Sequence, residues 1–288
     1  MPETRPTLLL SVDFEDWHQL VRRRVGVSGW EAPGPALERQ TDALLALLDD
    51  LNVRATFFVL GMAARAHPEL LAPIVAAGHE IGCHGDAHRL VHTQTPTEFA
   101  DDLRAARATI EDLTGRTPIG YRAPAFSITR EADWAYDVLA QEGFAYDASQ
   151  HDTPAIRDHA VPATQRPHRL GDTGLWEFPV AVWRPGRTRV PVGGASYWQV
   201  LPTPVVLTGL TRAGSMAGLY LHPNELDPQP LRAALSAGAT PKQRAHARLR
   251  EAQRNGARRR APGVLKAIAR RFELIPYGEA HARLGDGS

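Results

Sequence analysis

Short apolar runs alternate with amphipathic stretches over the first two-thirds of the chain. Residues 8–13 form an apolar run suited to a buried strand. Over 35–51, Leu37, Leu44, Leu45, Leu47 and Leu48 recur at helical spacing and predict an amphipathic helix. The pattern continues with a strand over 54–60, a helix over 68–77 stopped by Gly78, and a strand over 80–84. A long helix follows over 97–113, with Thr97 as its start and Gly115 as its stop. A strand over 119–122, a helix over 131–141 and a strand over 144–147 complete the regular part. Residues 149–174 are rich in His, Pro, Arg and Asp and have no period, which predicts a long loop of the kind used as a lid. Beyond it lie a strand over 176–180, a Gly-rich turn over 193–198, a strand over 216–221 and a helical region over 241–272, interrupted near Pro262.

A repeated β-then-α rhythm implies parallel strands joined by crossover helices. No repeat or linker divides the chain, so residues 1–288 read as a single α/β domain. Asp13, His84, Arg122, Asp147 and His222 all fall at the C-terminal ends of predicted strands. In parallel barrels and in doubly wound sheets alike, that end carries the active site.

Composition changes this picture little. Of 288 residues, 43% are hydrophobic, enough for a sizeable core. Lys plus Arg is 33 and Asp plus Glu is 32, a net charge of +1, which gives no global attraction to nucleic acid. One stretch departs from that balance: 244–271 is crowded with arginine, including Arg258, Arg259 and Arg260. It reads as a solvated helix face. The sharper reading is peripheral contact with an anionic membrane surface or a phosphorylated lipid carrier. A single cysteine, Cys83, excludes an internal disulfide, and strand alternation turns it away from the polar cluster. No apolar run approaches the roughly 18 residues of a membrane span, so no transmembrane segment and a cytoplasmic location are expected. Composition says nothing of the oligomeric state.

Four constellations bear chemistry. Asp13-Phe14-Glu15-Asp16 clusters acids at the end of an apolar strand, where burial is costly unless a cation compensates. His84 and His88 are four apart and can reach one metal from a turn or helical face. Arg122 precedes Pro124 and can hold a carboxylate by paired hydrogen bonds. His222 follows the apolar run 219–221. Each has a plain alternative: a solvated strand end, two surface histidines, a structural ion pair and a structural histidine.

Taken in order, these segments resemble the polysaccharide deacetylase superfamily, the NodB-like carbohydrate esterases, and more narrowly its branch associated with bacterial exopolysaccharide synthesis. The matching stretches are Ser-Val-Asp-Phe-Glu-Asp-Trp at 11–17, Ala-Thr-Phe-Phe-Val-Leu-Gly at 55–61, Gly-His-Glu-Ile-Gly-Cys-His-Gly at 78–85 with His88, Gly-Tyr-Arg-Ala-Pro at 120–124, Tyr146-Asp147, residues 176–180, 193–202 and 222–227. The resemblance implies a distorted (β/α) barrel of about seven parallel strands. It also implies one divalent metal ion, commonly Zn2+, held by His84, His88 and a carboxylate. The family's first motif has two adjacent aspartates, where this chain has Asp13-Phe14-Glu15-Asp16. Asp13 aligns with the base, so the metal carboxylate is Glu15 or Asp16, and alternation favours Glu15.

The implied reaction is removal of an N-acetyl group from an N-acetylated sugar in a polysaccharide or lipid-linked glycan. Asp13 would act as base, oriented by Arg122, since a nearby cation favours a charged carboxylate. The oxyanion would be held by the metal and a backbone N–H in the turn after Arg122. His222 would protonate the leaving amine, and Asp147 would tune His222 or Arg122. Trp17, Phe126 and Tyr197 are candidates to line a glycan groove, while Trp176 reads as core. Two competing readings stand beside this one: an allantoinase-like or cyclic-imide hydrolase, and a non-catalytic glycan-binding relative. A serine hydrolase is disfavoured, because no Gly-x-Ser-x-Gly elbow occurs.

Overall fold

The computed structural model describes residues 5–153, 164–256 and 258–285. Its centre is a curled sheet of nine strands: β1 (Thr7–Phe14), β2 (Thr56–Val59), β3 (Glu80–Cys83), β4 (Gly120–Tyr121), β5 (Tyr146–Asp147), β6 (His168–Arg169), β7 (Trp176–Glu177), β8 (Ala217–Leu221) and β9 (Glu273–Ile275). Seven parallel strands run in the order β7-β5-β4-β3-β2-β1-β8, and β6 adds antiparallel to the β7 edge. β8 pairs with 8–12 on one edge of β1, while β9 and β2 take successive stretches of the other edge. Past β7 the chain crosses to β8, with Ala181 N–H donating to Gly218 O and Gly218 N–H to Pro179 O. The sheet is thereby curled into a half-barrel, in agreement with the barrel-like α/β single domain expected above.

Among the described residues eleven helices surround this sheet: α1 (Trp17–Val25), α2 (Leu37–Asp50), α3 (Gly61–Ala66), α4 (Leu71–Ala76), α5 (Pro96–Thr114), α6 (Trp134–Gln141), α7 (Ala195–Trp198), α8 (Thr203–Ala213), α9 (Pro241–Asn255), α10 (Ala261–Arg271) and α11 (Tyr277–Gly285). Strand alternation sorts the side chains into two layers. Leu8, Leu10, Val12 and Phe14 join the core beneath α2, α5 and α10, with Leu44, Leu103 and Ile268. Leu9 points inward with Phe58, Tyr146 and Tyr277. Each fully buried Leu or Phe contributes about 1.5–3 kcal/mol, and Cys83 lies in the outer core, as alternation requires.

Several boundaries differ from the sequence reading. α5 begins one residue earlier, because Thr95 and Glu98 form a reciprocal capping box and Pro96 occupies the first turn. The helical region 241–272 breaks at Gly256, before Pro262, which sits in the first turn of α10. The stretch 149–174 is not simply a loop. Its first residues, Ser149 to Thr153, are buried, and β6 lies within it. Residues 154–163 of that expected lid lie outside the described residues.

The basic stretch is only partly a solvated face. Arg258 is buried and donates to the carbonyls of Asp227 and Gln229 and to Asn255 Oδ1. Arg260 donates to Gln199 O and Leu201 O. These guanidiniums hold the loops after β8 and α7.

Candidate active site

One row of paired residues crosses the sheet: Phe14 opposite Val59, Val59 opposite Cys83, Cys83 opposite Tyr121, Tyr121 opposite Asp147 and Asp147 opposite Glu177. The residues that follow this row therefore emerge together at the C-terminal rim. They include Glu15, His84 and Arg122. One layer below, Val12 pairs with Leu221, so Asp13 and His222, each one residue further on, lie side by side.

This register brings Glu15, His84 and His88 together, with one ligand atom from each all within 4.8 Å of one another. Glu15 Oε2 lies 3.1 Å from His88 Nε2 and 3.8 Å from His84 Nε2. A tetrahedral shell with ligands about 2 Å from zinc places its ligand atoms roughly 3.3 Å apart, so the set has the right size for such an ion. His84 Nδ1 lies 2.8 Å from Arg122 O, the outer hydrogen bond that turns Nε2 towards the cluster. Burial pushes the His84 imidazole below its usual value, towards the neutral form that ligates. Burial raises the Glu15 carboxyl, but the His88 hydrogen bond and the surrounding imidazoles outweigh it and hold it at about 2. His88 reaches the site from a left-handed backbone, φ 50°, a conformation that costs roughly 1–2 kcal/mol outside glycine.

Asp16 goes elsewhere. It caps α1, accepting from His18 N–H at 2.8 Å, and its other oxygen accepts from Gly34 N–H at 2.5 Å and meets His67 Nε2 at 3.3 Å. Glu15 and Asp16 thus occupy different faces of the chain. Glu15 joins the two histidines, and Asp16 ties α1 to the loop before α2.

Asp13 receives Arg122 Nη1 at 2.9 Å. The Arg122 guanidinium is wholly buried; it also donates to Ser11 Oγ, Ala148 O and Tyr277 Oη, and it lies over the Phe58 ring. Burial would discharge it, but Asp13 and the phenol of Tyr277 keep its pKa raised. His222 Nε2 lies 4.0 Å from Asp13 Oδ2 and 3.6 Å from Glu15 Oε1, while its Nδ1 is 3.2 Å from Glu225 Oε2. Burial lowers the His222 pKa, yet Glu225, Glu15 and Asp13 together lift it to about 9.

Other expectations need correction. Asp147 touches neither His222 nor Arg122 in any hydrogen bond; its carboxylate accepts from Ser149 Oγ and Ser149 N–H. Ser149 Oγ in turn accepts from Ala123 N–H, which removes that amide as an oxyanion donor. Trp17 is buried with Val21, Val25, Leu231 and Ala247 between α1 and α9, and so belongs to core packing rather than to a groove. Phe126 is buried against Val180 and Tyr220, near the site but facing inward. Tyr197 stays half-buried, its ring 6.3 Å from that of His151. Residues that went unread also line the site. Tyr220 shares a strand face with His222, a relation that alternation alone would have revealed. Ser11 does the same for Asp13. Tyr277 and Glu225 carried no signal of this kind.

The fold is a parallel half-barrel with a two-histidine, one-carboxylate cluster at its strand ends, and comparison with known proteins narrows its class. Residues 31–144 match the family model described as polysaccharide deacetylase, and residues 147–268 match a domain of unknown function, DUF3473. A peptidoglycan deacetylase of Helicobacter pylori is 35% identical over 106 residues, 37% of this chain and 35% of that protein. A chitooligosaccharide deacetylase of a Bradyrhizobium strain is 35% identical over 127 residues, 44% of this chain and 55% of that one. The chain thus spans about a third to about half of the length of these relatives. A crystal structure described as a polysaccharide deacetylase from Mycobacterium smegmatis shares the fold, with TM-score 0.63, 20% identity, and coverage of 100% of this chain and 93% of the other. Residues 31–144 thus match a polysaccharide deacetylase family model, and the fold agrees with that match.

Proposed function

We propose that the protein removes N-acetyl groups from an N-acetylated sugar of a polysaccharide or lipid-linked glycan. The observation that carries this reading is the convergence of Glu15, His84 and His88 within 4.8 Å, flanked by the Asp13–Arg122 pair and by His222. Glu15, His84 and His88 would hold a divalent cation, most simply zinc, given two imidazoles and one carboxylate. Bound there, it would supply Lewis acidity to the amide carbonyl and lower the pKa of water.

Asp13 then accepts a proton from water as the new C–O bond forms at the acetyl carbon. Arg122 holds one oxygen of Asp13 and leaves the other facing His222. His222 Nε2 delivers a proton to the sugar nitrogen as the C–N bond breaks, since an amine leaves poorly as an anion. The products are acetate and a free amino sugar. The deacetylase names of the relatives agree with this chemistry but do not specify the glycan. The half-buried Tyr197 is the one aromatic from the expected groove set still open to solvent, and so the best candidate to meet a sugar ring.

Acetate release from N-acetylglucosamine oligomers, measured before and after chelation and after return of zinc, tests the reading. Release that chelation stops and zinc restores supports it. Ring opening of a cyclic ureide without acetate release would replace it with the cyclic-amide hydrolase reading.

A further inference from the structure

His222 and the groups on the Nδ1 side of its ring come from the segment matched by the domain of unknown function, residues 147–268. Glu225 lies three residues on, in the turn that follows β8, and its side chain is wholly buried. One of its oxygens accepts from His222 N–H at 2.9 Å and meets His222 Nδ1 at 3.2 Å. The other accepts from Ser196 Oγ on α7. Arg254 on α9 donates to that same Ser196 Oγ at 2.8 Å and lies 3.7 Å from Glu225. A buried carboxylate is costly without a cation and a full set of donors. Here both are supplied, and from two different helices.

We propose that Glu225 is the positioning residue of His222, and that Ser196 and Arg254 hold Glu225 in that role. The segment of unknown function would then serve the reaction by orienting its proton donor, through a relay running from α9 to α7 to Glu225 to His222. This rests on His222 being the acid, as read above. The geometry favours it because an imidazole has two nitrogens, and the partner of one decides which way the other points. With Nδ1 on Glu225, Nε2 faces Asp13 and Glu15 at 4.0 and 3.6 Å. No other acceptor bonded to Nδ1 occurs among the described hydrogen bonds. The part expected of Asp147 falls to a residue on the same turn as the histidine.

Two measurements on the zinc-loaded full chain test the relay. The first compares turnover of an N-acetylglucosamine oligomer with that of 4-nitrophenyl acetate, whose phenolate departs without a proton. Glu225→Gln should lower kcat on the oligomer about 10–100-fold with KM unchanged, and should lower ester turnover much less. Glu225→Asp should recover part of the loss. Ser196→Ala and Arg254→Ala, which reach Glu225 from outside, should show smaller losses in the same amide-over-ester sense. Equal losses on both substrates, or wild-type turnover in Glu225→Gln, would overturn the relay. The second measurement uses nitrogen NMR of labelled histidine, with the His222 signals assigned by their loss in His222→Asn. Wild-type protein should carry a proton at Nδ1 as well as at Nε2, and Glu225→Gln should shift the Nδ1 resonance; an unchanged resonance counts against the proposal. Wild-type protein that leaves the oligomer intact argues against the parent reading alone, and the ring spectrum then decides the relay by itself. If Glu225→Gln does not fold, Ser196→Ala and Arg254→Ala carry both measurements.

Discussion

Adjacent carboxylates have opposite fates in this chain. Glu15 faces two imidazoles, and Asp16 faces backbone amides and His67. Glu15→Gln should therefore lose most bound zinc, whereas Asp16→Asn should retain it, as read by elemental analysis of the purified variants; equal zinc in both would remove Glu15 from the cluster. Asp16→Asn should instead lose stability, by about 1–3 kcal/mol for a disrupted buried hydrogen-bond set. The pH dependence follows from the same contacts. Burial raises the Asp16 carboxyl, but hydrogen bonds from His18, His67 and Gly34 outweigh it and depress it below 3.8. Its stabilisation is thus complete above that unfolded value and is lost as pH falls through the lower folded value. His67 is shifted upward by the same carboxylate, so its share is complete below about 6.5 and fades as pH rises through its folded value. Thermal unfolding of Asp16→Asn across pH should show a flatter acid limb than wild type. Asp13→Asn should keep its zinc and lose about 10²–10⁴-fold in turnover, the usual worth of a positioned proton acceptor; a Asp13→Asn variant with full activity would disprove its role. Alternation along β1 made Glu15 legible from sequence. It gave no warning that Trp17 packs against α9, because that partner lies more than two hundred residues downstream.

At the scale of elements, what was legible followed from periodicity. The long strand β1 and the amphipathic α2 stood out because each runs for several repeats of its own period. Two-residue strands such as β4, β5 and β7 are too short to show a period of their own. α1 hides behind three arginines in nine residues, and its apolar face is narrow. The basic run 258–260 looked like a charged surface because a sequence does not show carbonyl acceptors. In the fold, Arg258 closes the loop after β8 by bonds to Asp227 and Gln229. Arg258→Ala should leave those carbonyls unpaired and cost about 1–3 kcal/mol, seen as a lowered Tm in calorimetry. Arg248→Ala, on the exposed part of α9, should leave Tm unchanged. A silent Arg258→Ala would return this residue to the solvated-face reading.

Over the whole molecule, the inner layer is filled from three distant parts of the chain. Arg122 on the rim of β4 meets Ser11 from β1 and Tyr277 from the start of α11. Gly218 in β8 makes room for that phenol, since a Cβ there would stand 2.2 Å from Tyr277 Oη. Tyr277→Phe should therefore lower stability by about 1–3 kcal/mol through an unpaired guanidinium N–H, with zinc content preserved. Gly218→Ala should displace the ring and cost more. Denaturant unfolding of both variants checks the order; a neutral Gly218→Ala would mean that the phenol is not held there.

The pairing of β9 with β1 has a bearing on how the protein is made. Thr7 and Glu273 bond across 266 residues of chain, so an emerging polypeptide has its first strand long before that strand's lower neighbour exists. Until residue 277 leaves the ribosome, Arg122 lacks one of the acceptors that hold its guanidinium.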